Sequence, residues 1–143
     1  MDKLFEIILT SSITLIGGVL IFSITKLTEK LLFEPVFELN KIRGQISYTL
    51  MFNANKFGNS EVIDKKDMDI VSDELRLLAS KLITQLSLIH GYWILRLLGL
   101  IISKKRIKNA SEALIGLSNG MYKPRFDFIE KQKDKITLEL KIK

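Results

Sequence analysis

The chain has 143 residues, enough for one domain of ordinary size. It carries 22 Lys and Arg against 16 Asp and Glu, a net charge of +6, and it has no cysteine, so disulfides and thiolate metal sites are excluded. A mild basic excess suits an anionic partner, lipid headgroups or nucleic acid, without specifying either.

The first 34 residues differ in kind from the rest. They hold Lys3, Lys26 and Lys30 against Asp2, Glu6, Glu29 and Glu34, a balance of −1, which leaves +7 on residues 35–143. We read residues 1–34 as a transmembrane helix with its cytoplasmic extension, and 35–143 as a cytoplasmic helical domain. Residues 4–25 contain one charge, Glu6, in 22 positions. A spanning helix needs ~20 predominantly apolar residues. A signal peptide would start with basic residues and end in an A-x-A site. Here the start is Met1-Asp2-Lys3, the run ends in Ser23-Ile24-Thr25-Lys26, and the helical pattern continues through Leu27, Leu31 and Leu32. A retained span is therefore expected. Lys26, Lys30, Lys41 and Arg43 follow it and only Lys3 precedes it, so the N-terminus should face outward.

The span has an unusual filling. Thr10, Thr14 and Gly18 recur every four residues and share one helix face, with Gly17 and Ser11 beside it. Small residues at this spacing let two helices approach closely, and hydroxyls can hydrogen-bond across the contact or face a water-filled lumen in a ring of helices. The plainer reading is that each hydroxyl bonds back to a carbonyl of its own helix.

After Pro35 the pattern is helical. Leu39, Ile42, Ile46, Leu50, Ala54 and Phe57 recur at spacings of three and four, with Pro35 in the first turn or at a kink, and Gly58-Asn59-Ser60 at the end. Residues 61–66 are expected to form a loop. A second stripe runs through Val71, Leu75, Leu78, Leu82, Leu86 and Ile89, capped by Ser72 or Asp67 and ended by His90-Gly91. Residues 92–102 (YWILRLLGLII) read as a short buried helix, because 11 residues containing Arg96 cannot span. Ser103 should cap a further helix with the stripe Ile107, Ala110, Leu114, Leu117 and Met121. In the tail, Ile136, Leu138, Leu140 and Ile142 alternate as in a strand. Phe126, Ile129, Lys133, Ile136 and Leu140 also fall on one helix face, and a lone strand would have no partner, so helix is preferred.

Groups for chemistry are few. His90 is the only histidine and has no second ligand at helical spacing. No glycine-rich phosphate loop is present. Asp64, Asp67, Asp69, Asp73 and Glu74 fit the acidic start of a helix. Lys104, Lys105, Arg106 and Lys108 form the strongest basic patch, either a solvated first turn or a surface for anionic lipid or RNA. No catalytic residue, metal or cofactor is expected, and the chain does not read as an enzyme.

Two stretches carry a resemblance: residues 42–55, IRGQISYTLMFNAN, and residues 100–121, LIISKKRIKNASEALIGLSNGM. With the N-terminal span, the chain resembles small membrane-anchored helical proteins of bacterial phage defence, the membrane accessory family of type VI-B CRISPR systems among them. The resemblance implies an all-α fold, one N-terminal transmembrane helix followed by a HEPN-like bundle, in the bacterial inner membrane. It implies self-assembly into a pore-like ring that enhances defence by an RNA-guided RNA nuclease. HEPN ribonucleases have an Arg, then four to six intervening residues, then the His, but the Arg positions before His90 hold Gln85, Thr84 and Ile83, so RNA cleavage is not carried over. Expected partners are further copies of the chain, membrane lipid, and a soluble defence nuclease or its RNA signal. The competing expectation is a non-conducting anchored adaptor whose bundle docks a soluble protein or RNA.

Overall fold

The computed structural model describes residues 2–58, 64–122 and 126–142, with nothing of the Asp2 side chain. All of the regular structure among these residues is helical. The chain runs as α1 (Asp2–Thr28), a π-helical turn (Glu29–Phe33), α2 (Glu34–Phe52), α3 (Ala54–Gly58), α4 (Lys65–Leu88), α5 (Tyr92–Leu97), α6 (Lys104–Gly120) and α7 (Phe126–Leu140).

The chain passes from α1 to α2 without leaving the helix, so residues 3–52 form one continuous rod of 50 residues. The π turn has a local cause. Pro35 has no N–H and its ring presses on the carbonyl four residues back, so the regular ladder cannot continue through it. The Glu34 N–H instead donates to the Glu29 carbonyl five residues back, which is the π pattern. Pro35 thus falls in the first turn of α2 and widens the rod without breaking it.

The core lies in residues 39–140, where α2, α4, α6 and α7 pack together. The stripes set by the helical period supply it. Leu39, Ile42, Ile46, Leu50 and Phe57 are buried, as are Val71, Leu75, Leu78, Leu82, Leu86 and Ile89, then Ile107, Ala110, Leu114, Leu117 and Met121. Each fully buried Leu or Ile stabilises the fold by about 1.5–3 kcal/mol relative to an exposed one. The α6–α7 crossing is close: a methyl group added at Gly116 would lie 3.1 Å from the Gln132 amide, and one at Gly120 would lie 3.1 Å from the Phe128 ring.

Four sequence expectations need correction. Ala54 is exposed, because the second helix breaks at Asn53, a buried residue whose side-chain amide donates to the Thr49 carbonyl at 3.1 Å. Asp64, not Asp67 or Ser72, occupies the N-cap position of α4, without a side-chain cap bond; Ser72 is buried in the helix interior. Lys65 and Lys66 are therefore helical, while residues 59–63 of the expected helix end and loop lie outside the described residues. Residues 92–102 are not a buried helix. Only Leu95, Ile101 and Ile102 are buried there, and Trp93, Leu97, Leu98 and Leu100 face out. The tail, by contrast, is the helix expected for it, with Ile129, Ile136 and Leu140 inward and Leu138 outward; no strand occurs among the described residues.

Candidate functional site

α1 is long and apolar enough to cross a membrane, and none of its most apolar stretch is buried against the rest of the chain. Its large side chains, from Leu4 to Leu27, are exposed. In water such a surface would be strongly unfavourable, since a soluble monomer rarely exposes a contiguous apolar patch of this extent.

Thr10, Ser11, Thr14 and Gly18 are exposed on α1, and Gly17 is half-exposed. A methyl group added at Gly17 or Gly18 would meet nothing within 4 Å, so the small-residue face is open. The Thr10 and Thr14 hydroxyls are already used as donors. Thr10 Oγ1 donates to the Glu6 carbonyl at 2.8 Å and Thr14 Oγ1 to the Thr10 carbonyl at 2.9 Å. Ser23, Thr25 and Thr28 repeat the arrangement with the carbonyls of Val19, Ile21 and Ile24. This satisfies polar hydrogens in an apolar surrounding. What Thr10 and Thr14 offer a neighbouring helix is therefore their small size and their remaining lone pairs, not free donors.

The basic patch is divided. Arg106 turns inward: its guanidinium donates to the carbonyls of Leu138 and Glu139, the latter at 3.0 Å, and its Nε lies 3.2 Å from the Glu139 carboxylate. Lys104 stands 4.7 Å above the Tyr92 ring, a cation–π contact. Lys105 and Lys108 are exposed. Arg43, on α2, reaches the same end of α7 and donates to the Leu140 carbonyl at 2.6 and 3.0 Å and to Asn40 at 2.6 Å. Two cations thus cap the carbonyl end of α7, where the helix dipole is negative. Burial, with the positive Arg106 nearby as a smaller cause, lowers the Arg43 pKa from its ordinary value.

Polar contacts also register the helices. Ser72 and Ser118 share a buried hydrogen bond of 2.8 Å, and Arg76 donates to Ser118 at 2.9 Å and to Asn119 at 3.0 Å. Thr49 donates to Glu74 at 2.7 Å, Ser111 to the Ala79 carbonyl at 3.1 Å, and Gln85 to the Pro35 carbonyl at 3.0 Å. These ties were not foreseen from sequence, where isolated Ser, Thr and Arg carry no periodic signal. The acidic cluster at the start of α4 is drawn into the same network: Asp69 accepts from Tyr122 at 2.6 Å. Among the described residues no three His, Asp or Glu side chains converge. His90 is exposed just beyond the end of α4, so it does not pack into the core.

Compared with protein-family models, curated proteins and solved structures, the chain matches none. What the fold defines is a helical bundle that carries one helix able to cross a membrane.

Proposed function

We infer that the chain is a single-span protein of the bacterial inner membrane, with its N-terminus outside and its bundle in the cytoplasm. The span self-associates through the face of Thr10, Ser11, Thr14, Gly17 and Gly18. The resulting ring permeabilises the membrane in antiphage defence, with a HEPN-like bundle as its cytoplasmic part. The observation that carries this reading is the open face at Gly17 and Gly18 on an otherwise bulky, uncovered helix. A helix that only anchors has no use for such a face, whereas helices in contact need it to approach. The cation excess after residue 25 supports the orientation. The resemblance supplies the link to defence.

A second reading is the non-conducting anchored adaptor. The back-bonded hydroxyls of Thr10 and Thr14 favour it, because they make the residues tolerable in lipid with no partner at all.

One experiment separates the two. The stretch 4–25 is replaced by an unrelated monomeric span, and oligomer size in mild detergent, ion leakage from loaded vesicles and phage protection are measured. The pore reading expects all three to be lost while the protein stays in the membrane. Full protection after the replacement would leave only the adaptor.

A further inference from the structure

The bundle ends on an apolar cap that the core does not use. α5 and the turn after it are held from inside by Leu95, Ile101 and Ile102, all buried. The Tyr92 hydroxyl donates to the Ile102 carbonyl, and the Leu100 N–H donates to the Leu95 carbonyl at 3.0 Å. Gly99, at φ 72°, supplies the left-handed residue that the turn needs. The outer surface of this tethered loop is Trp93, 71% exposed, Leu97, 80% exposed, and Leu98, 64% exposed. Trp93 and Leu97 are four residues apart on one helix face. Three large apolar side chains on a well-held loop are the opposite of what a water-facing turn requires.

The position of the loop tells what covers it. α4 runs antiparallel to α2: Glu74 meets Thr49, Gln85 meets the carbonyl of Pro35, and Gly91 lies against Leu32, whose methyl would be 3.0 Å from a side chain added there. Following α4 forward therefore means descending α2 toward α1. α5 comes next and occupies the end of the bundle nearest the span. Leu32 lies seven residues beyond Thr25, about 10 Å at the helical rise. The headgroup zone on each side of a bilayer is ~5–8 Å deep, so the level of Leu32 and Gly91 stands just beyond its outer edge, within the reach of a large side chain. Tryptophan favours that zone, and interfacial helices sink their apolar face ~5–10 Å into it. Lys104 and the exposed Lys105 follow the loop directly, where anionic headgroups would meet them.

We propose that Trp93, Leu97 and Leu98 insert into the cytoplasmic headgroup region of the bilayer, so that α5 is a second membrane contact that fixes the bundle against the membrane surface. The lipid surface, not another protein, is the occupant. The proposal rests on α1 spanning the bilayer, and it goes beyond that reading by giving the bundle its own lipid-binding site.

Trp93 is the only tryptophan, so the full chain reports on itself. The protein is reconstituted in phosphatidylcholine vesicles containing a minority of phosphatidylglycerol, with and without lipid brominated near the headgroup end of the acyl chain. Retention after alkaline carbonate extraction reports the span separately. The expected result is retained protein whose Trp93 emission is quenched by brominated lipid and shielded from aqueous iodide. In Leu97→Glu/Leu98→Glu, which alters only exposed positions, retention and helix content should persist, bromolipid quenching should be lost and iodide access gained. Retained protein quenched by iodide and silent to brominated lipid would overturn the proposal and leave the span standing. Retained protein silent to both quenchers would mean that protein covers Trp93, which also overturns it. Unchanged bromolipid quenching in the double variant would do the same. Extraction by carbonate would remove the span reading and the proposal with it.

Discussion

Arg43 on α2 and Arg106 on α6 grip successive carbonyls at the end of α7, Arg43 that of Leu140 and Arg106 those of Glu139 and Leu138. Neither helix holds α7 by apolar packing alone. Like charges are brought together here, and the cost shows in the lowered Arg43 pKa, caused first by burial and then by Arg106. The carbonyls that receive both guanidinium groups offset that cost.

Hydrogen bonds to charged groups contribute about 1.5–3 kcal/mol each. Arg43→Ala and Arg106→Ala should each destabilise the bundle by about that amount. The double variant should lose more than the sum, because each single variant already gains the relief of their mutual repulsion and the double gains it only once. Arg43→Lys should recover only part of the loss, since an ammonium cannot present a planar fork. Denaturant unfolding of the detergent-solubilised protein, followed by far-ultraviolet circular dichroism, measures all four. Wild-type stability in Arg43→Ala would show that α7 does not depend on the clamp.

Tyr92 predicts a pH effect. Burial raises its pKa above the ordinary value of about 10, with Arg96 opposing more weakly. The folded state therefore keeps the phenol proton longer than the unfolded chain does. The stability contributed by the neutral phenol is fully present below about pH 10 and is lost as pH rises through the folded-state pKa. Tyr92→Phe removes the hydrogen bond to the Ile102 carbonyl, so it should cost about 1 kcal/mol at neutral pH and abolish this part of the alkaline loss. The difference in phenolate absorbance between wild type and variant isolates Tyr92, and its midpoint should lie above the model-peptide range. A midpoint at or below that range would contradict the partly buried, hydrogen-bonded hydroxyl.

The Ser72–Ser118 pair predicts strong coupling. Ser118→Ala leaves the Ser72 hydroxyl and the Arg76 Nε without their partner, at a cost of about 1–3 kcal/mol. Ser72→Ala leaves Ser118 still bonded to Arg76 and should cost less. In the double variant the loss should fall short of the sum. A double-mutant cycle in denaturant measures the difference, and strict additivity would mean that the two serines do not sense each other.

The orientation is tested with single cysteines, for which the chain offers a clean background because it has none of its own. Asp2→Cys should react with an impermeant thiol reagent added outside the cytoplasmic membrane. Lys108→Cys, exposed on α6, should react only after the membrane is opened. The reverse pattern would invert the topology and place the loop of Trp93 on the other leaflet.

The sequence by itself determined the helices and most of the core. Residues that recur every three or four positions must share a helix face, so Val71 to Ile89 and Ile107 to Met121 were legible as buried stripes. The length and apolarity of residues 4–25 marked, in the same way, the one helix among the described residues able to cross a membrane. Tertiary structure decided what periodicity cannot carry. The run 92–102 is apolar but for Arg96 and the Tyr92 hydroxyl, so its sequence could not say that Leu95 turns inward while Trp93 and Leu97 turn out; packing against the rest of the bundle decided it. Arg106 read as one cation among four until α7 brought its carbonyls within reach. Ser72 read as a cap until Ser118 came to lie opposite. Periodicity is a property of one helix and can be read along the chain. The partner of a polar or uniformly apolar residue belongs to two helices, and it exists only once their crossing has been set.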